Sequence, residues 1–182
     1  NPNDPKSVLK ALVVDGEDHT NDWSISDFTL QELRDWLGGT ILDNRNDRPI
    51  EWNGKLPLIS VQDVIDIAAA KGKELKRSIA VYAETKNPYW NNQQAIANGC
   101  GAPGSHPFED AVMKLLEKNK FNAKDAPIYI QSFDPESLKY LRKVGMKSKA
   151  VQLIDGNDIN YKDGSMGYIT NDEWTFISGR PY

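Results

Sequence analysis

Apolar residues recur at helical spacing in four parts of the chain, and short apolar runs follow three of these parts. A repeat near 3.6 residues places apolar side chains on one helix face, whereas a short continuous run is typical of a buried strand. The spacing predicts helices at residues 29–37, 61–71, 112–116 and 135–144. The apolar runs predict strands at residues 78–83, 127–131 and 150–154.

Three of the helices begin with a residue pair that can satisfy the free backbone N–H groups of a helix start. A Thr or Ser three residues ahead of a carboxylate forms a capping box. In an Asp-Pro pair, Asp is a preferred N-cap and Pro is favoured at the first helical position. The pairs are Thr29 with Glu32, Ser60 with Asp63, and Asp134 with Pro135. These starts are therefore marked independently of the apolar spacing.

Helices and strands alternate along the chain with short turns, which is typical of α/β proteins whose parallel strands are joined by crossover helices. We expect a single domain over residues 1–182. The segments 1–28 and 156–182 are expected to be irregular and loop-rich, and residues 87–107 to form a long loop. An open doubly wound sheet and a barrel both fit the pattern.

Charge and hydropathy argue against two features, a nucleic-acid-binding surface and a transmembrane segment. The 182 residues carry a formal charge of −4, so the basic surface expected of a nucleic-acid-binding protein is missing. The apolar runs are much shorter than the roughly 20 residues that a transmembrane helix needs. We therefore expect neither a nucleic-acid partner nor a transmembrane segment.

The most suggestive polar residues are Glu84 and Lys86, where the first apolar strand runs out into a loop. The carboxyl ends of strands form the active face of α/β proteins. A carboxylate there can bind a hard cation such as Mg²⁺ or Ca²⁺, and a lysine two residues on can meet a phosphate oxygen. The alternative interpretation is an exposed ion pair at a strand end.

Other polar residues have weaker claims on function. Gln131 and Phe133 end the second strand and could contact a ligand. The alternative interpretation, which the residues alone favour, is a strand end that leads into an N-cap. Gln152 in the third strand fits a purely structural role. His19 and His106 are interpreted as solvated loop residues rather than catalysts.

Five segments in order resemble the glycerophosphodiester phosphodiesterase family, in its longer periplasmic-type form. They cover most of residues 20–155 and read DFTLQEL at 27–33, LISVQDVI at 58–65, YAETK at 82–86, IQSF at 130–133 and VQLID at 151–155. The resemblance implies a (β/α)₈ barrel and hydrolysis of glycerophosphodiesters to glycerol 3-phosphate and an alcohol. It further implies a divalent metal, Ca²⁺ or Mg²⁺, and a periplasmic or secreted location.

By the same resemblance, Glu84 matches a metal-ligand glutamate and Lys86 a lysine near the phosphate. Gln131 and Phe133 would line the same mouth as substrate-binding residues. The chain departs from the family at Asn87, where many relatives carry histidine after the lysine.

The larger departure is that the family's His-Arg-Gly strand end, its Glu-x-Asp metal pair and its second histidine have no counterpart here. We therefore expect no catalytic residue within these residues, and we expect the chain to be incomplete at both ends, with the rest of its own barrel as its partner. Two other hypotheses remain open. The chain could belong to a non-catalytic barrel relic or interaction module, or to a lipase of the phospholipase D or sphingomyelinase D type.

Overall fold

The computed structural model describes residues 13–14, 17–18, 25–36, 47, 49–153 and 162. Five helices are described: α1 (Leu30–Trp36), α2 (Val61–Glu74), α3 (Pro88–Ala97), α4 (Pro107–Lys118) and α5 (Pro135–Lys143). The strands are β1 (Val13–Val14), β2 (Glu17–Asp18), β3 (Val81–Glu84), β4 (Ile128–Ser132) and β5 (Lys149–Gln152). Short 3-10 helices cover Ile25–Asp27 and Ile50–Trp52.

The central sheet has three parallel strands in the order β3-β4-β5, and β1 and β2 form a separate antiparallel pair. The register sets Val81 beside Ile128 and Glu84 beside Gln131, and it sets Ser132 beside Gln152. This confirms the predicted α/β class with crossover helices between parallel strands. All three strands run in one direction, so their carboxyl ends meet at one edge.

The core lies between the sheet and the helices. Ile128 and Ile130 of β4 are 0% and 2% exposed, and they form one cluster with apolar residues of the surrounding helices. The helical members of that cluster are Ile65 of α2, Leu116 of α4, and Leu138 and Leu141 of α5. Alternate residues of β4 therefore face a helical layer, as the two-residue period of a strand requires.

The opposite face of the sheet carries large side chains but stays open among the described residues. Tyr82 is 54% exposed, and its ring meets that of Tyr129 edge-on, with 5.8 Å between the centroids. The Lys149 ammonium lies 4.8 Å above the Tyr129 ring centroid, a cation–π contact. Glu84 and Gln131 are two residues further along their strands and lie on this same face.

The helix caps predicted from sequence are confirmed. The side chain of Ser60 accepts from the Asp63 N–H and the Asp63 carboxylate accepts from the Ser60 N–H, and Thr29 and Glu32 are paired in the same way. Hydrogen bonds from the Ser60 side chain and backbone, assisted by Arg34, lower the pKa of Asp63 to about 2.

Helix α2 ends against the segment that leads into β3. Gly72 is buried, and its carbonyl accepts from the Arg77 N–H at 3.0 Å. A Cβ atom at position 72 would lie 2.7 Å from the Arg77 carbonyl oxygen, closer than real contacts allow. Only glycine permits this close approach of the two backbone segments.

Part of the predicted loop at 87–107 is wrong, because α3 occupies Pro88–Ala97. Asn87 is its N-cap and has a left-handed backbone, with φ of 46°. The helix lacks an apolar stripe, and its deeply buried polar residue, Asn92, is held by hydrogen bonds rather than by apolar contact. A hydrophobic period could not reveal such a helix.

Smaller differences have simple physical reasons. Residues 78–80 precede the first paired strand residue, Val81, which shortens the predicted strand at its start. The helix predicted at 135–144 ends one residue earlier, because Val144 is the C-cap of α5 and is 40% exposed. Ile67, an apolar residue of α2, is 59% exposed. Most of residues 1–28, and all of 156–182 except residue 162, lie outside the described residues.

Among the helices described, none combines the length and the apolar character needed to cross a membrane.

Candidate active site

The carboxyl end of β3 brings Glu84 and Lys86 together. The Lys86 Nζ atom lies 3.2 Å from the Glu84 Oε1 atom, and the lysine side chain is 73% exposed whereas that of the glutamate is 21% exposed. An extended backbone places residues 84 and 86 on one side, with Thr85 buried between them. The pair is therefore accessible to solvent, whereas the residue between its two members is buried.

Gln131 and Phe133 lie at the neighbouring strand end. The register places Gln131 directly beside Glu84, so the two side chains share the open face of the sheet. Phe133 follows β4 and leads into the N-cap of α5. The Gln152 amide of β5 donates to the Phe133 carbonyl at 2.8 Å and to the Ser132 carbonyl at 3.3 Å, so it anchors the turn that carries Phe133.

Two buried hydroxyl residues join these strand ends. The Ser132 hydroxyl donates to the Thr85 carbonyl at 3.0 Å, and the Thr85 hydroxyl donates to the Gln131 carbonyl at 3.3 Å. The Thr85 N–H also donates to the Gln131 carbonyl at 2.9 Å. These bonds extend the β3–β4 pairing one step beyond the last strand residue, where the candidate side chains lie.

A second group of polar residues lies where α3, α4 and α5 meet. The Glu109 side chain is 1% exposed and accepts from the Asn92 amide at 2.7 Å, while the Asn92 oxygen accepts from the Phe108 N–H at 2.9 Å. His106 stacks on Tyr140 with centroids 3.9 Å apart, and its Nδ1 atom lies 3.8 Å from the Glu109 carboxylate. The helix junction is therefore tied by hydrogen bonds and ring stacking.

The N-cap of α5 is a buried carboxylate. Asp134 is 3% exposed and accepts from the N–H groups of Glu136 and Ser137. Burial raises the pKa of Asp134 to about 6; the two cap hydrogen bonds oppose this rise, and the negative charges of Glu109 and Glu136 add to it. Desolvation therefore outweighs the stabilising effect of the cap on the charged form.

The structure brings together all four residues proposed from sequence: Glu84, Lys86, Gln131 and Phe133 lie on adjoining strand ends. His106 is a partly exposed helix cap stacked on Tyr140, rather than the solvated loop residue that was predicted. His19 lies outside the described residues. Sequence reasoning missed Ser132, for which the only signal was a hydroxyl residue directly after the apolar run at 127–131.

The described residues supply only part of a metal site. In the parts of the chain that the structure describes, no three His, Cys, Asp or Glu side chains come close enough together to hold an ion. Ca²⁺ takes about 6–8 oxygen ligands and Mg²⁺ about six. The Glu84 carboxylate is a suitable hard donor for either ion, and Gln131 could add an amide oxygen, so further ligands would have to come from outside the described residues.

In the described residues, parallel strands, helices packed on one face and polar residues at the carboxyl edge define an α/β protein. The model of the glycerophosphoryl diester phosphodiesterase family matches residues 8–177. The chain belongs to this family, which confirms the resemblance drawn from its five segments.

Two relatives show the same relationship. Glycerophosphodiester phosphodiesterase GDPD6 of Arabidopsis thaliana is 33% identical over 153 residues, which cover 81% of this chain and 39% of the relative. Glycerophosphodiester phosphodiesterase of Haemophilus influenzae is 23% identical over 172 residues, covering 85% of this chain and 44% of the relative. The chain thus spans less than half the length of these relatives.

Proposed function

We propose that this chain forms part of a (β/α)₈ barrel enzyme that hydrolyses glycerophosphodiesters to glycerol 3-phosphate and an alcohol, with a divalent metal ion, Ca²⁺ or Mg²⁺. The observation that carries the proposal is the Glu84–Lys86 pair at the carboxyl edge of a parallel sheet, in a chain of this family. In the described part of the chain, helices pack on one face of the sheet, which supports the barrel, since barrel strands have helices outside and side chains of other strands inside.

Each residue has a distinct role. Lys86 would meet a phosphate oxygen, because its ammonium group is well exposed and its ion pair with Glu84 is weakened by solvent screening. Glu84 would be one ligand of the metal ion, which, when bound, would neutralise charge on the phosphoryl group. Gln131 and Phe133 would border the substrate, with the amide as a hydrogen-bonding group and the ring as an apolar wall.

In the Glu84–Lys86 pair, each charge offsets the other at 3.2 Å. A phosphate would draw the ammonium group away and leave the carboxylate available as an oxygen donor. The charges needed for binding are therefore held close to their working positions.

A lipase of the phospholipase D or sphingomyelinase D type remains a second candidate, since it would need the same metal and phosphate contacts. The names of both relatives favour the glycerophosphodiester substrate. The non-catalytic alternative predicts that metal has no effect on stability or activity.

The deciding experiment is a substrate panel on the full-length gene product. We expect glycerol 3-phosphate to be released from glycerophosphocholine, to stop when EDTA is added, and to resume with excess Ca²⁺ or Mg²⁺. Release of ceramide phosphate from sphingomyelin, with glycerophosphocholine untouched, would support the lipase instead. No turnover of either substrate and no effect of metal on the melting temperature would favour the non-catalytic alternative.

A further inference from the structure

We propose that Ser132 is a positioning residue that holds the two candidate strand ends, the 84–86 segment and the 131–133 segment, in a fixed relative position. The proposal rests on the proposed function for its consequence in catalysis. Its structural part can be tested separately.

The Ser132 hydroxyl joins three pieces of backbone. The side chain is fully buried, donates to the Thr85 carbonyl at 3.0 Å and accepts from the Asp134 N–H at 3.2 Å. One oxygen atom therefore links the end of β3, the end of β4 and the start of α5. Buried polar groups keep such partners because the alternative is an unpaired group away from water.

The 84–86 and 131–133 segments each donate hydrogen bonds to the other. Thr85 is the middle residue of the 84–86 segment, and it donates to the Gln131 carbonyl through both its N–H and its hydroxyl. Ser132 is the middle residue of the 131–133 segment, and it donates back to the Thr85 carbonyl. The flanking residues of both segments are the four candidate site residues, so a shift of one segment would change the distance from Glu84 and Lys86 to Gln131 and Phe133.

Position along the strand separates this role from ordinary core packing. Ser148 is also fully buried and its hydroxyl donates to the Phe121 carbonyl at 2.7 Å. It directly precedes β5, at the amino edge of the parallel sheet, away from the candidate site. The Phe121 carbonyl also accepts from the Ala123 N–H at 2.8 Å, so it keeps a donor when the Ser148 hydroxyl is removed. Of the two serines, only Ser132 adjoins the strand ends that carry the candidate side chains.

The experiment compares Ser132→Ala with Ser148→Ala in the full-length gene product. Hydrogen–deuterium exchange of a peptide covering residues 84–88 is measured first. We expect roughly tenfold faster exchange in Ser132→Ala than in the wild type, and unchanged exchange in Ser148→Ala. Should Ser132→Ala fail to fold, Ser132→Cys weakens the donor without leaving a cavity and is expected to act in the same direction.

Steady-state kinetics with glycerophosphocholine give the second readout. We expect kcat/KM to fall roughly tenfold to a hundredfold in Ser132→Ala, and to stay within about twofold of the wild type in Ser148→Ala, at similar melting temperatures. Equal exchange, or an equal loss of kcat/KM, in the two variants would overturn the proposal. If the wild type has no activity, the proposed function fails, and hydrogen exchange alone decides whether Ser132 fixes the strand ends.

Discussion

Two glutamates of this protein occupy opposite settings. Glu84 lies at an open strand end with a flexible lysine beside it, and 21% of its side chain is exposed. Glu109 lies at the junction of three helices, is 1% exposed, and accepts from the amide of Asn92. The same functional group therefore meets solvent in one place and a fixed donor in the other.

The difference separates groups that can change partner from groups that cannot. A buried carboxylate with a rigid donor contributes to packing, and its loss is felt as lost stability. An accessible carboxylate with an exposed lysine contributes little to stability, because surface ion pairs are weak. We therefore expect Glu84 to act in the reaction and Glu109 to stabilise the fold. Four predictions test this contrast between accessible and buried polar groups.

The largest effect is expected from Glu84→Gln in the full-length gene product. Loss of the carboxylate should lower kcat/KM on glycerophosphocholine by roughly 100–1000-fold, because a charge-stabilising group of the site is removed. The melting temperature should barely change. Glu74→Gln is the matched control, since Glu74 is also paired with a lysine, at 2.8 Å, but lies on an outer helix. Equal activity in the two variants would remove Glu84 from the site.

The next effect is on stability and comes from Asn92→Ala. The change leaves the Glu109 carboxylate without its amide donor and the Phe108 N–H without its acceptor. We expect a loss of about 3 kcal/mol in the free energy of unfolding, measured by urea denaturation. Gln93→Ala, at an exposed position of the same helix, should cost much less. A similar loss in both variants would contradict the structural role given to Asn92.

A pH effect is expected from Asp134. Its pKa is about 6 in the folded state against 3.8 as the ordinary value, so the folded state binds the extra proton between these values. This contribution to stability is therefore fully present below pH ~3.8 and is lost as the pH rises through about 6. Between pH 4.5 and 7.5, this group should lower the free energy of unfolding of the wild type by about 2 kcal/mol. We expect Asp134→Asn to abolish that decrease. Identical pH profiles of the urea midpoint for the two proteins would refute this.

The smallest effect is expected from Lys86→Gln. Removal of one exposed phosphate-binding cation should raise KM for glycerophosphocholine by about tenfold, with a smaller change in kcat. Lys139→Gln is the matched control, because Lys139 is 69% exposed and pairs with Glu136 at 2.7 Å within helix α5. A KM equal to that of the control would show that Lys86 does not contact the phosphate.

Local signals allowed much of the fold to be predicted. The caps at Ser60 and Asp134 depend on residues within three positions, so the sequence alone identifies them. Strand β4 was predicted to within one residue because Ile128, Tyr129 and Ile130 form a short apolar run. The candidate pair at Glu84 and Lys86 was visible for the same reason, as polar residues directly after an apolar strand.

Features that depend on distant partners could not be predicted. Helix α3 could not be found from hydrophobic spacing, because its buried residue Asn92 is held by a hydrogen bond to Glu109, 17 residues away. The link between Ser132 and Thr85 joins residues 47 positions apart and has no periodic signal. The pKa of Asp134 depends on burial that only the folded chain creates.

The close approach at Gly72 has a consequence for which substitutions the chain can accept. Any side chain at position 72 would push against the Arg77 carbonyl, in the segment that leads into β3. That segment precedes the strand whose carboxyl end carries Glu84. A mutational library built on this protein should therefore keep glycine at position 72.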